Sequence, residues 1–322
     1  MLAATLAASI LFTSCMPGPA CWRPYAQASP FNQPLPAQPA LARGSERLIG
    51  GLVGDPLTVD RPDHVVAADD GSQGEPAVYS GRDDPDRRVH CTEPWGRCEI
   101  EGARVNIPDG VVPEAGTDRH LAVIETHTGL EFDFWGLHAI DERRVAIRWG
   151  GAERVWTGMG NTSAATASSF AGLAGRLRAD ELAAGEIRHA LNVVVRCTNG
   201  HAIFPAENGH GGTACTKGTV ALPMGARLQL QVSDAQLAAI DPSRRPVYRA
   251  MRDYGMFVGD TGSGGLFSIE TEAGMRLPEL AAAQGWARTI DDDGRYLPFD
   301  GDGIDWRAQL RVIHPCVSEG SC

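Results

Sequence analysis

Glu131 and Asp133 stand two residues apart in the stretch GLEFDFWG (129–136), and Trp135 follows two residues later. The period-two alternation makes this a β-strand, so the two carboxyl groups and the indole share one face while Leu130, Phe132 and Phe134 share the other. Same-face neighbours on a strand lie roughly 6.5–7 Å apart, from which two carboxyl side chains can converge on one glycosidic bond. An aromatic ring beside them offers a platform for a sugar face. These residue types point to a saccharide site, with Glu131 and Asp133 as the acid–base or nucleophile pair and Trp135 as the platform. The plainer alternative is an exposed strand carrying a half-buried tryptophan.

Imidazoles are the natural partners of such carboxylates, and His120, His127 and His138 bracket the hairpin that presents them. A carboxylate beside a histidine fixes its tautomer and raises its basicity, so His138 and His189 are candidates for orienting or transferring a proton. His189 has the apolar parity of Leu191, Val193 and Val195, which favours a buried structural histidine. For a lyase, Arg148 would neutralise a uronate carboxylate and Tyr254 would serve as acid, with Asn192 in support. Asp300, Asp302 and Asp305, in DDDGRYLPFDGDGIDW, have the short spacing with which calcium loops gather oxygen ligands around glycine turns. A structural calcium is weighed there against a solvated acidic loop, and no other cofactor is required. His201, Glu207 and His210 fall in one glycine-rich loop whose spacing matches no metal motif, so it reads as structural.

The chain has 322 residues and a formal charge of −11. That balance argues against a nucleic-acid binder, which needs a basic face to displace counterions. Lys217 is the sole lysine, and no phosphate-binding glycine motif precedes a helix. MLAATLAASILFTSC has signal-peptide length and is too short to span a bilayer. It predicts a secreted or cell-envelope protein, either freely released or membrane-anchored through a lipidated Cys15. Eight cysteines fit an oxidising compartment. Proximity pairs Cys91 with Cys98, Cys197 with Cys215, and Cys316 with Cys322, and lipidation of Cys15 would leave Cys21 over.

Residues 1–23 are thus expected to be a signal, 24–102 an extended loop-rich segment pinned by Phe31, and 103–322 the folded domain. Strands at 120–126, 130–137, 143–149 and 153–157, joined by short turns, suggest an antiparallel meander. SAATASSFAGLAGRL and ADELAAGEI then read as helical, and IRHALNVVVRC as a buried strand. Short helices are expected at DAQLAAI, SRRPVYRAMRDYG and LPELAAAQGW, and a closing strand at WRAQLRVI. The expected fold is mainly β: an antiparallel, jelly-roll-like β-sandwich with a few peripheral short helices.

The strand loosely resembles the E-x-D-x-x-E strand of the laminarinase- and lichenase-like glycoside hydrolases, which are jelly rolls. Glu131 and Asp133 match its first two positions, while the third, which supplies that family's acid, falls on Gly136. Across most of the chain after residue 28, the segments SPFNQPLP, TGLEFDFW, ELAAGEIRHAL and YGMFVGD resemble a family of exported bacterial proteins of uncharacterised function. That resemblance implies that Asp133, Trp135, Glu181, His189, Pro205 and Asp260 belong to its recurring signature. The expectation is an exported carbohydrate-active protein that cleaves an extracellular polysaccharide as a glycoside hydrolase or lyase. A non-catalytic glycan-binding or envelope lipoprotein is the alternative.

Overall fold

A computed structural model describes residues 21–54, 65–67, 75–208, 211–262, 265–273, 277–285 and 303–322. The fold is mainly β with a few short helices, and its sheets mix parallel with antiparallel pairs. In the five-stranded sheet, Leu121–Glu125, Leu130–Trp135 and Trp149–Arg154 pair antiparallel, with Glu131 opposite Ile124 on one side and Glu153 on the other. Glu75–Ser80 adds to it in parallel, followed by Glu272–Ala273 at the edge. The expected meander therefore holds except at Arg144–Ile147. That strand leaves for a four-stranded sheet and lies parallel to Asp86–Cys91. The third sheet, of six strands, is built around Leu191–Val195 and Met256–Thr261, which run parallel.

The five-stranded sheet is covered on both faces, and this decides the environment of the strand at 130–135. Leu121, Val123, Phe132 and Phe134 join Val89, Val105, Val145 and Ile147 in one apolar cluster. Ala122 and Ile124 point the other way, into the larger cluster that holds Leu191, Val193, Met256 and Val258. Residues 160–177 run through that second layer. Glycine lets them approach closely: a Cβ on Gly172 would lie 2.6 Å from Asp133 Oδ1, and one on Gly151 would lie 2.5 Å from Ala164 N.

This covering segment is not the helix that its alanines suggest. Ser163 and Ser168 accept from the amides two residues ahead, and Thr166 Oγ1 donates to Phe170 O at 2.8 Å. Such local side-chain bonds give the backbone an alternative to the helical ladder. Helices do form at Ala179–Ala184, stopped by Gly185 at φ +72°, and at Asp234–Ala239, opened by a Ser233/Gln236 capping box. Others span Arg245–Asp253 and Leu277–Gln284. At the closing segment, Trp306–Gln309 is helical and only Leu310–Val312 is strand.

Residues 24–102, expected as loop, contribute the helix Ser45–Val53 and the strands Glu75–Ser80 and Asp86–Cys91. Phe31 does pin this region: its ring packs edge-on to Phe170 at 5.0 Å and to Phe257 at 5.1 Å. All three expected disulfides are present. Cys21 is also disulfide-bonded, so it is not left over. Among the described residues no helix is long and apolar enough to cross a membrane.

Candidate functional site

Glu131 and Asp133 share a face as expected, but that face is closed, and neither side chain lines a cavity. Both are fully buried. Glu131 accepts from Tyr25 Oη at 2.8 Å and from Leu173 N at 2.7 Å. Burial pushes its carboxyl up to about 7 against those bonds. The Asp133 oxygens have Ser163 and Gly172 alongside but make no hydrogen bond. Burial, with Glu131 and Glu75 nearby, raises that carboxyl well above the usual range. The expectation of a groove over these residues is thus corrected. The covering layer comes from residues 160–177 and from Tyr25 in the N-terminal segment.

The open site lies beside this sealed pair. Two adjoining hollows of about 380 and 200 Å³ share Asp118, His120, Thr166 and Asp260 and form one cleft. Asp260 owes its position to a β-bulge. Val193 pairs with Val258, but Val194 pairs with Asp260, so the register slips by one residue at Gly259. A bulge of this kind re-aims the side chain that follows it. Gly259 is required there because a Cβ would fall 1.9 Å from Asn192 Oδ1. Gly259→Ala should therefore lower stability by about 1–3 kcal/mol through overpacking, read as a lowered thermal midpoint. An unchanged midpoint would mean that Asn192 yields freely.

Burial pushes the Asp260 carboxyl up to about 7, with Thr261 N opposing and Glu270 reinforcing the shift. The cleft floor is a buried ionic group in which Arg176 Nη1 donates to Glu270 Oε2 at 2.7 Å and Nη2 pairs with Glu75. Burial also raises Glu270, against the pull of Arg176. On the rim, burial raises Glu114, which accepts from His120 N at 3.3 Å. His120 Nδ1 and Asn192 Oδ1, both in the lining, make no hydrogen bond.

The other end of the cleft is aromatic. Trp135 reaches it, as the sequence suggests, and its indole N–H donates to Asp118 Oδ1 at 3.0 Å. Its ring already packs on Trp95, with centroids 5.4 Å apart, and lies 4.2 Å from the Arg148 guanidinium. Arg148 is held in turn by Glu93 at 2.6 Å. Trp95 is the more open ring, 61% exposed, on the short loop closed by Cys91 and Cys98. Arg148 thus braces the Trp135 ring from outside the lining.

The remaining expected site residues lie elsewhere. His189 is buried, with Nε2 3.1 Å from Glu181 Oε2 and Nδ1 2.9 Å from Ala190 O. Arg178 Nη2 donates to the other Glu181 oxygen at 2.9 Å. Although burial works against it, His189 and Arg178 draw the Glu181 carboxyl down to about 2, which marks a structural ion cluster. His138 is exposed and bonded through Nδ1 to Gly136 O at 2.6 Å. Tyr254 packs against the core. Asp305 caps the helix Trp306–Gln309, accepting from Ala308 N, while Asp300 and Asp302 lie outside the described residues. His314, Cys316 and Cys322 cluster, but the two sulfurs are joined as a disulfide and offer no thiolate to a metal.

Of the cleft residues, Asp260 belongs to the signature that the family resemblance implies, while Glu270, Arg176 and Trp95 do not stand out in the sequence. Their available signals are modest: a Gly-Asp pair ending an apolar strand, and a tryptophan between two close cysteines. No family model matches the chain, and no curated protein or solved structure matches it.

Proposed function

We propose that this is an exported carbohydrate-active protein that cleaves an extracellular polysaccharide by acid–base chemistry in the cleft at Asp260. The observation that carries this reading is one carboxyl group, raised by burial to about 7, at the junction of an aromatic wall and a carboxylate-lined floor. Asp260 would protonate the leaving glycosidic oxygen. Glu270, braced by Arg176, would activate water or attack the anomeric carbon. Burial raises both carboxyls, but Arg176 draws Glu270 back towards its ionised form while no such cation pairs with Asp260, and that difference would separate their roles. Trp95 would hold a sugar ring, with Trp135 beneath it.

The same reading takes the stacked sheets as a jelly-roll-like sandwich and places the chain in the exported bacterial family that its segments resemble. Export is supported by the disulfides, which persist in oxidising compartments. Release of new reducing ends from a panel of plant, fungal and bacterial glycans tests the proposal directly. Products with absorbance near 235 nm, an approximate value for unsaturated uronates, would redirect it to a lyase. Binding without any turnover would leave a glycan-binding envelope protein.

Trp95→Ala isolates the platform. Loss of one stacking contact should weaken glycan affinity about 3- to 10-fold. Because the ring is mostly exposed, the thermal midpoint should hold. An unchanged KM would remove Trp95 from the site.

A further inference from the structure

The cleft carries a strong excess of one charge. Glu75, Glu114, Asp118, Asp260 and Glu270 all line it, and Arg176 is the single guanidinium among the lining residues. Arg176 is already engaged by Glu75 and Glu270. Among the described residues no ion pair reaches Glu114, Asp118 or Asp260. Glu75 Oε1 and Asn192 Oδ1, on residues 4% and 5% exposed, have no hydrogen-bond partner.

The cleft therefore holds more carboxyl groups than cations. A hydroxyl donates one hydrogen and brings lone pairs of its own, whereas an ammonium brings three donors, a positive charge and no acceptor. A uronate adds negative charge to a negative cleft, which like-charge repulsion disfavours. An N-acetyl group carries no charge and gains nothing from the excess.

We infer that the cleft selects glycans bearing free amines, polymers of the glucosamine type, over N-acetylated, neutral or uronate-bearing ones. This rests on the reading of the cleft as a glycan site and specifies its substrate class. The amine would pair with Glu114 and Asp118, because Asp260 serves as the acid only while it keeps its proton.

Calorimetric titration of the full chain with tetramers of glucosamine, N-acetylglucosamine and galacturonate separates the two levels. The glucosamine tetramer should bind at least about tenfold tighter than its N-acetylated counterpart. That advantage should shrink with added salt. Glu114→Gln, which removes one of the lining carboxyls, should narrow the preference for the amine tetramer over its N-acetylated counterpart. Equal or tighter binding of the N-acetylated or uronate tetramer overturns amine selectivity but keeps a glycan site. Silence from all three tetramers removes the glycan reading and the inference together.

Discussion

Asp260→Asn should lower glycan turnover by roughly 10²- to 10⁴-fold, the usual contribution of a positioned general acid, while leaving the fold intact. The amide keeps the one bond the carboxyl makes, since its oxygen can still accept from Thr261 N, which lies 2.6 Å from Oδ1 in the native protein. It also removes the cost of a carboxylate in a partly buried cleft, so the thermal midpoint should not fall at neutral pH. The pH profile carries a second signature. Asp260 acts only when protonated, so in the native protein the rate should fall about tenfold per unit once pH rises past about 7. The residual rate of the variant should lack that limb. Reducing-end assays across pH, paired with thermal melts, measure both. A variant that retains native turnover would leave the cleft as a binding surface only.

The strand at 130–135 shows what is legible in the sequence and where legibility stops. Its alternation correctly separates Phe132 and Phe134 from Glu131 and Asp133, because the pleat fixes sides by parity alone. Parity does not say what lies over each side. The covering segment 160–177 is rich in alanine, and its serine and threonine bonds to nearby backbone become decisive only in three dimensions. Asp260 is hidden for another reason. Its position depends on a one-residue slip against Leu191–Val195, a property of the pairing that neither strand shows alone. The disulfides are readable because each joins cysteines close in sequence, and Phe31 because it is the one aromatic residue in the proline-rich SPFNQPLP. Trp135 is visible as an aromatic on a polar face. Its partner Trp95 arrives from a separate loop.

Replacing the sealed pair, Glu131→Gln with Asp133→Asn, should reduce the pH dependence of stability without abolishing turnover. Burial raises the Glu131 carboxyl from 4.5 to about 7, and raises Asp133 in the same direction. The folded protein therefore holds protons that the unfolded chain has released across that window. Stability from these groups is fully present below the unfolded value and is lost as pH rises through the folded one. For Glu131 alone the interval from 4.5 to about 7 corresponds to roughly 3 kcal/mol. The native thermal midpoint should accordingly drop between about pH 5 and pH 8, while the double variant falls less, the remaining slope coming from Asp260, Glu270 and Glu114. The amides fit: after Glu131→Gln the new amide oxygen can accept from Leu173 N, and its NH₂ can donate to the Tyr25 hydroxyl. Parallel melting curves for the two proteins would show that the pair is not the titrating element. Loss of turnover in a variant that melts like the native protein at pH 5 would instead return Glu131 and Asp133 to the reaction, since a sealed structural pair has no route by which to affect chemistry except through the fold.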